Sequence, residues 1–383
     1  MSPKSDTKPT GSKYFPGYHP TLTRELDRFL EERGRQLEKD GRRMNVAAFI
    51  LAGGYGRGEG GVFIDDSHTP RLYNDLEFYL FTRGPVPRVL ERWIHEMEHA
   101  GRAAFGIDVE IKTMSAKALD SAGPSMFFHD LVSGHIVVHG PPDFLTRAAF
   151  ARLRDPKKIP LHEVARLLFN RGSGLLFAEA KLSGTDPEFD QGFILRNLAK
   201  AKLALGDAVL AANGLYHSSC RERERRITGK IPNTPEGWNE IRRLHTAGVL
   251  FKFNPGHENA VRDELEQQQK DLVALWLGVF LWLESRRLKH TFFSLGDYAG
   301  FRGRILPEFP RWKNPVLRLR DLLRHGETLP FPFEYPRGVL QQALAAFLAG
   351  ASRKLDLASG ARILGVSEKN SFETYRRWWH RYN

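Results

Sequence analysis

Three groups of residues in this chain have the types and spacing for phosphate chemistry. Gly53, Gly54, Gly56, Gly58, Gly60 and Gly61 crowd the stretch GGYGRGEGG. Backbone amides uncovered by side chains can close round a phosphate, and Arg57 adds a fixed positive charge to that loop. In Asn74–Asp75–Leu76–Glu77–Phe78–Tyr79, strand alternation puts Asp75, Glu77 and Tyr79 on one face and Leu76 and Phe78 on the other. Like charges held so close repel unless a cation lies between them, which suits Mg²⁺. Asp108, Glu110 and Lys112 share a face in the same way, so a third acid is at hand. A phosphate loop, paired acids and a further carboxylate are the set that two-metal phosphoryl or nucleotidyl transfer uses.

Strands and helices must position these groups. Residues 21–38 carry Leu22, Leu26, Phe29, Leu30 and Leu37 at helical spacing with charges opposite, which predicts an amphipathic helix. The apolar run 45–52 (NVAAFILA) predicts a strand buried on both faces that ends at the glycines. Further strands are expected at 72–81, 107–114 and 135–139, with a helix at 86–104. Beyond Pro141–Pro142 the texture is helical: 143–154, 160–182, 188–214, 258–288, 311–325, 336–352 and 369–381. The expected division is a leader at 1–20, a strand-containing catalytic domain at 21–142 and a helical domain at 143–383 that receives the acceptor. The leader, Pro/Gly-rich and polar, is expected to be flexible.

Composition bounds the partners. The 383 residues are 41% hydrophobic, enough for real cores, and 57 basic against 45 acidic side chains leave +12, which favours polyanions. Cys220 is the sole cysteine, which excludes disulfide scaffolds and multi-thiolate zinc sites and fits a reducing compartment. The N-terminus lacks a secretory apolar core, and the run Leu272–Leu283 is too short to span a bilayer, so the reading is a cytoplasmic protein with no membrane partner.

Gly53–Gly54–Tyr55–Gly56–Arg57–Gly58–Glu59 followed by Asn74–Asp75–Leu76–Glu77 resembles the signature of the DNA polymerase beta-type nucleotidyltransferase superfamily, to which kanamycin nucleotidyltransferase and the minimal nucleotidyltransferases belong. The resemblance implies an α+β fold, with a small mixed sheet flanked by helices and then an all-helical domain. It implies transfer of a nucleoside monophosphate from an NTP such as ATP to a hydroxyl, with two Mg²⁺ ions. Gly53 and Gly54, with Arg57, would bind triphosphate. Asp75 and Glu77 would bind the metals, and Asp108, the third carboxylate, would ligate the catalytic metal and help deprotonate the acceptor, with Glu110 the competing choice on the same face. The acceptor stays open among small molecules, protein side chains and RNA. A nucleotide- or RNA-binding module on the same scaffold is the alternative, because Glu77 stands where the family more often has Asp. The spacer 55–74 is also longer than usual, so an insertion around Gly60–Arg71 must loop out.

The remaining signals are weaker. Lys200 in NLAKAKLALGDA could reach a phosphate, although a solvated helix face explains it better, since lysines are rarely buried. Gly172 and Gly174 suggest close helix packing. His95–Glu96–Met97–Glu98–His99 fits a zinc-protease pattern, but the stripe Leu90, Trp93, Ile94, Met97 turns both histidines to the polar side. Gly56-x-Gly58-x-x-Gly61 lacks the helix a dinucleotide fold requires after it. The basic stretches Arg221–Lys230 and Arg376–Arg381 are compatible with RNA and equally with solvated helices.

Overall fold

A computed structural model of the chain describes residues 12–256, 260–327, 330, 334–349 and 355–383. Parts of the expected leader and of the helices at 258–288 and 336–352 lie outside the described residues. The chain divides into two compact units. The first comprises Met1–Ile159, Gly214–Gly229 and Val249–His257, and the second Pro160–Asn213, Lys230–Gly248 and Glu258–Asn383. The first unit therefore runs past residue 142 and gathers two later segments that a linear reading assigns to the helical part.

The first unit is built on a four-stranded mixed sheet. Its strands are β1 (Val46–Leu51), β4 (Leu76–Thr82), β5 (Val109–Ser115) and β6 (Ile136–His139), in the order β5-β4-β1-β6. β1 runs antiparallel to β4 and β6, while β4 and β5 are parallel and joined by the helix Arg88–Phe105. The strand β1 is buried along its whole length, as an apolar run flanked by neighbours on both edges should be. On one face Phe49, Leu51, Phe78, Leu80, Val109 and Ile111 pack against Leu22, Leu26 and Phe29 of the helix Pro20–Asp40 and Trp93 and Met97 of Arg88–Phe105. The opposite face carries Ala48, Ile50, Ala52, Tyr79 and Phe81 beneath Leu131, Val132, Phe144 and Leu153. Glu77 shares this second face by the period-2 rule.

Two differences from the sequence expectations bear on the site. The part of the leader that is described is core: Tyr14 and Phe15 are fully buried, Tyr14 donates to Asp27 at 2.6 Å, and the Tyr14 carbonyl accepts from the Gly60 amide at 2.9 Å. The two aromatics explain this, since burying them outweighs the cost of ordering a Pro/Gly segment. The expected strand 72–81 is split, with Tyr73–Asp75 outside any strand between β3 (Pro70–Leu72) and β4.

The second unit is helical in its described residues. Helices Leu161–Leu182, Gln191–Ala212 and Arg262–Leu288 pack closely at glycines: a Cβ at Gly172 would lie 2.2 Å from the Trp276 ring, and one at Gly174 2.4 Å from Asn197 Oδ1. The apolar run Leu272–Leu283 supplies buried Leu272, Val273, Trp276, Val279, Phe280 and Leu283 to this core. No described helix is long and apolar enough to cross a membrane.

Candidate functional site

The glycine bend and the acid pair meet where β1 ends and β4 begins. The Ala52 amide donates to the Glu77 carbonyl at 2.9 Å, which continues the β1–β4 ladder and fixes the next residue, Gly53, over Glu77. Gly53 has φ +61°, and a Cβ there would lie 3.0 Å from the Glu77 carboxyl carbon. Only glycine lets the chain turn left-handed so close to that carboxylate. Residues Gly53–Gly56 form one helical turn, and the Gly53 and Gly54 amides head it, where backbone N–H groups have no helical acceptor. A Cβ on Gly54 would press on the Glu59 carbonyl at 3.3 Å, so this glycine also lets the loop fold back on itself.

The long spacer is taken up by a hairpin. β2 (Val62–Ile64) pairs antiparallel with β3, and the Tyr55 hydroxyl stitches the hairpin's base. It donates to the Gly61 carbonyl at 2.7 Å and accepts from the Tyr73 and Asn74 amides at 3.0 and 3.3 Å. The buried tyrosine of the glycine stretch thus brings Asp75 back beside the bend although twenty residues intervene.

Asp75 is exposed and Glu77 half-buried, and neither carboxylate has a hydrogen-bond or ion-pair partner among the described residues. Burial first, and then the Asp75 charge, raise the Glu77 carboxyl above its ordinary range, with Glu110 adding to the shift and Arg57 and Lys112 opposing it. The Tyr79 phenol, pushed up by burial, feels Glu77, Glu110 and Asp75 in turn. The acids whose charges bear on Glu77 are therefore Asp75 and Glu110. Register explains the second: Glu110 lies directly across the parallel ladder from Glu77, with Lys112 on its other side at 3.0 Å. Asp108 is not brought into this group. It precedes β5, largely exposed, and pairs with Arg102 of the helix Arg88–Phe105 at 2.8 Å, while its carbonyl accepts from Leu76.

Arg57 also turns elsewhere. Its guanidinium lodges 3.8 Å from Asp130, and its stem fills the space over Gly134, where a Cβ would approach to 2.6 Å. Burial lowers its pKa, but Asp130, with Tyr216, Cys220 and Glu59, more than restores it, so the charge persists and acts on Glu77 from a distance. Lys200 stands exposed on the helix Gln191–Ala212 of the second unit. His95 and His99 are exposed on Arg88–Phe105.

A buried polar knot behind the loop has no local sequence signal. Glu59 accepts from the Ser219 hydroxyl at 2.7 Å and the Cys220 amide at 2.8 Å, at the start of the helix Cys220–Ile227, and faces Lys252 at 3.5 Å. Burial pushes its carboxyl up, but Lys252 and the Ser219 bond outweigh this and hold it below the usual range. Within the same knot, Arg223 donates to the His217 and Ser218 carbonyls, so the basic stretch Arg221–Lys230 is partly internal wiring.

Among the described residues, no three His, Cys, Asp or Glu side chains form a ready metal cage. The arrangement fits Mg²⁺ on other grounds: that ion is commonly held by one or two carboxylates plus phosphate oxygens and water, and Asp75 and Glu77 are adjacent acids without a bonded cation. No family model and no curated protein matches the chain.

Proposed function

We propose that the protein is a Mg²⁺-dependent nucleotidyltransferase that moves a nucleoside monophosphate from an NTP to a hydroxyl acceptor. The observation that carries this reading is the Glu77 carboxyl, raised by burial and by Asp75, lying against the left-handed Gly53 bend. A carboxylate in that position is costly unless a cation joins it, and a glycine turn beside it offers amides to the phosphates such a cation accompanies. Asp75 and Glu77 would hold the metal, and the Gly53 and Gly54 amides the triphosphate. When bound, Mg²⁺ supplies charge neutralisation and polarisation of the phosphate oxygens. Glu110, across the ladder from Glu77, takes the role that the resemblance gave to Asp108, accepting the acceptor hydroxyl's proton. The acceptor oxygen bonds to the α-phosphorus, the bond to the β-phosphate oxygen breaks, and pyrophosphate leaves. Arg57 would tune the Glu77 charge from behind the loop and touch no phosphate.

The test is incubation with each α-labelled NTP, Mg²⁺ and fractionated metabolites or RNA. The expected result is a labelled product with stoichiometric pyrophosphate, lost in Asp75→Asn and Glu110→Gln and kept in Asp108→Asn. Nucleotide binding that persists unchanged without Mg²⁺, with no pyrophosphate from any NTP, would replace the enzyme by a binding module.

A further inference from the structure

The helix Lys313–His325 of the second unit is inside out. Its buried residues are polar, Asn314, Arg318 and Asp321, whereas Trp312, Val316, Leu319, Leu322 and Leu323 face solvent. Trp312 is 71% exposed, Leu319 58% and Leu323 78%. At 100° per residue the exposed apolar side chains fall on one side of the helix, opposite the buried polar ones. Lys313, Arg320 and Arg324 line one flank of the apolar face, and the helix's sole acid, the buried Asp321, lies 3.5 Å from Arg320 alone of the three. Arg318, on the inner side, donates to the Glu334 carbonyl at 3.1 Å. The polar side is thus anchored to the unit, and the outward apolar face is not a loose end awaiting rotation.

A second feature adjoins it. A cavity of about 640 Å³ in the same unit has an apolar wall that includes Leu295, Phe301 and Ile363. Arg302, Arg304, Arg311 and Arg362 line it against one acid, Glu334. Arg311 is the residue before Trp312, so the arginine-lined cavity and the apolar helix face adjoin in the chain.

We propose, against the sequence expectation of no membrane partner, that this face binds the surface of an anionic phospholipid bilayer, with the helix lying along the interface. Thirteen residues are too few to cross a bilayer, but a tryptophan-headed apolar stripe with lysine and arginine on one flank is the pattern of an interfacial helix. Charge complementarity selects the occupant. A second copy packed antiparallel would bring Lys313, Arg320 and Arg324 against their like, whereas acidic headgroups complement all three. The proposal is independent of the phosphate chemistry in the first unit.

Vesicle co-sedimentation of the full chain at low salt tests it. Phosphatidylcholine vesicles containing phosphatidylglycerol should carry the protein down, and phosphatidylcholine alone should not. Leu319→Glu with Leu323→Glu should weaken the partition by about tenfold or more, since both side chains are exposed in the free protein and buried only on binding. Lys313→Gln with Arg320→Gln and Arg324→Gln should remove most of the preference for the anionic lipid. Equal partition of wild type and the double glutamate variant would overturn the proposal. So would a lipid-free dimer, seen by sedimentation velocity, that the glutamates dissociate.

Discussion

Gly53→Ala separates the cost of a left-handed backbone from damage to the acid site. At φ +61° an alanine costs about 1–2 kcal/mol relative to glycine, whatever surrounds it. Its Cβ would also meet the Glu77 carboxyl carbon at 3.0 Å and Oε2 at 3.1 Å, closer than side-chain carbons normally approach, so the carboxylate must move. Gly106, at the end of the helix Arg88–Phe105, is the control: its φ is +68° and a Cβ there meets nothing within 4 Å. Urea unfolding should therefore show both alanine variants losing about 1–2 kcal/mol. Calorimetric titration with Mn²⁺ should show Gly106→Ala binding as wild type does and Gly53→Ala about tenfold more weakly or worse, the usual loss when a neighbour that orients a metal ligand is disturbed. Equal Mn²⁺ affinity in the two variants would refute the link between the bend and the acid.

Three other outcomes follow from the packing and charge. The raised Glu77 carboxyl keeps its proton to a higher pH in the folded than in the unfolded chain, so the stability it contributes is complete below the ordinary carboxylate value and fades as pH rises through the raised one. Glu77→Gln should accordingly melt higher than wild type at neutral pH in EDTA, and added Mg²⁺ should stabilise wild type alone. Glu59 has the opposite sign: its stabilisation is present above the ordinary value and lost as acid titrates the lowered one, and Glu59→Gln should cost about 2–4 kcal/mol in urea by leaving Lys252 without its carboxylate. Gly172→Ala, pressed against the Trp276 ring, should cost about 1–3 kcal/mol by overpacking and shift thermal melts without changing Mn²⁺ affinity.

Local periodicity made much of this legible. The uninterrupted run 45–52 contains β1, and alternation set Glu77 on the face opposite Phe78. Alternation could not say where β5 begins. The strand starts at Val109, so Asp108, still outside it, leans to Arg102 six residues earlier, while Glu110 is held opposite Glu77 by the ladder. Arg57 pairs with Asp130 on a helix far along the chain, a partner that no local pattern names. Glu59 and Ser219 are 160 residues apart, a distance no local pattern bridges. The hairpin β2–β3 is short, and what fixes its base is one tyrosine hydroxyl, which composition does not reveal. In 311–325 the period marks a helix and an apolar stripe, but only the fold decides that the polar side turns inward.

Manganese electron paramagnetic resonance tests the carboxylate pair most directly. With a non-hydrolysable NTP analogue present, wild type and Asp108→Asn should both deplete the free Mn²⁺ signal. Asp75→Asn and Glu77→Gln should leave that signal near its protein-free level. Depletion by those two variants equal to wild type would show that the ion sits elsewhere and would contradict the account.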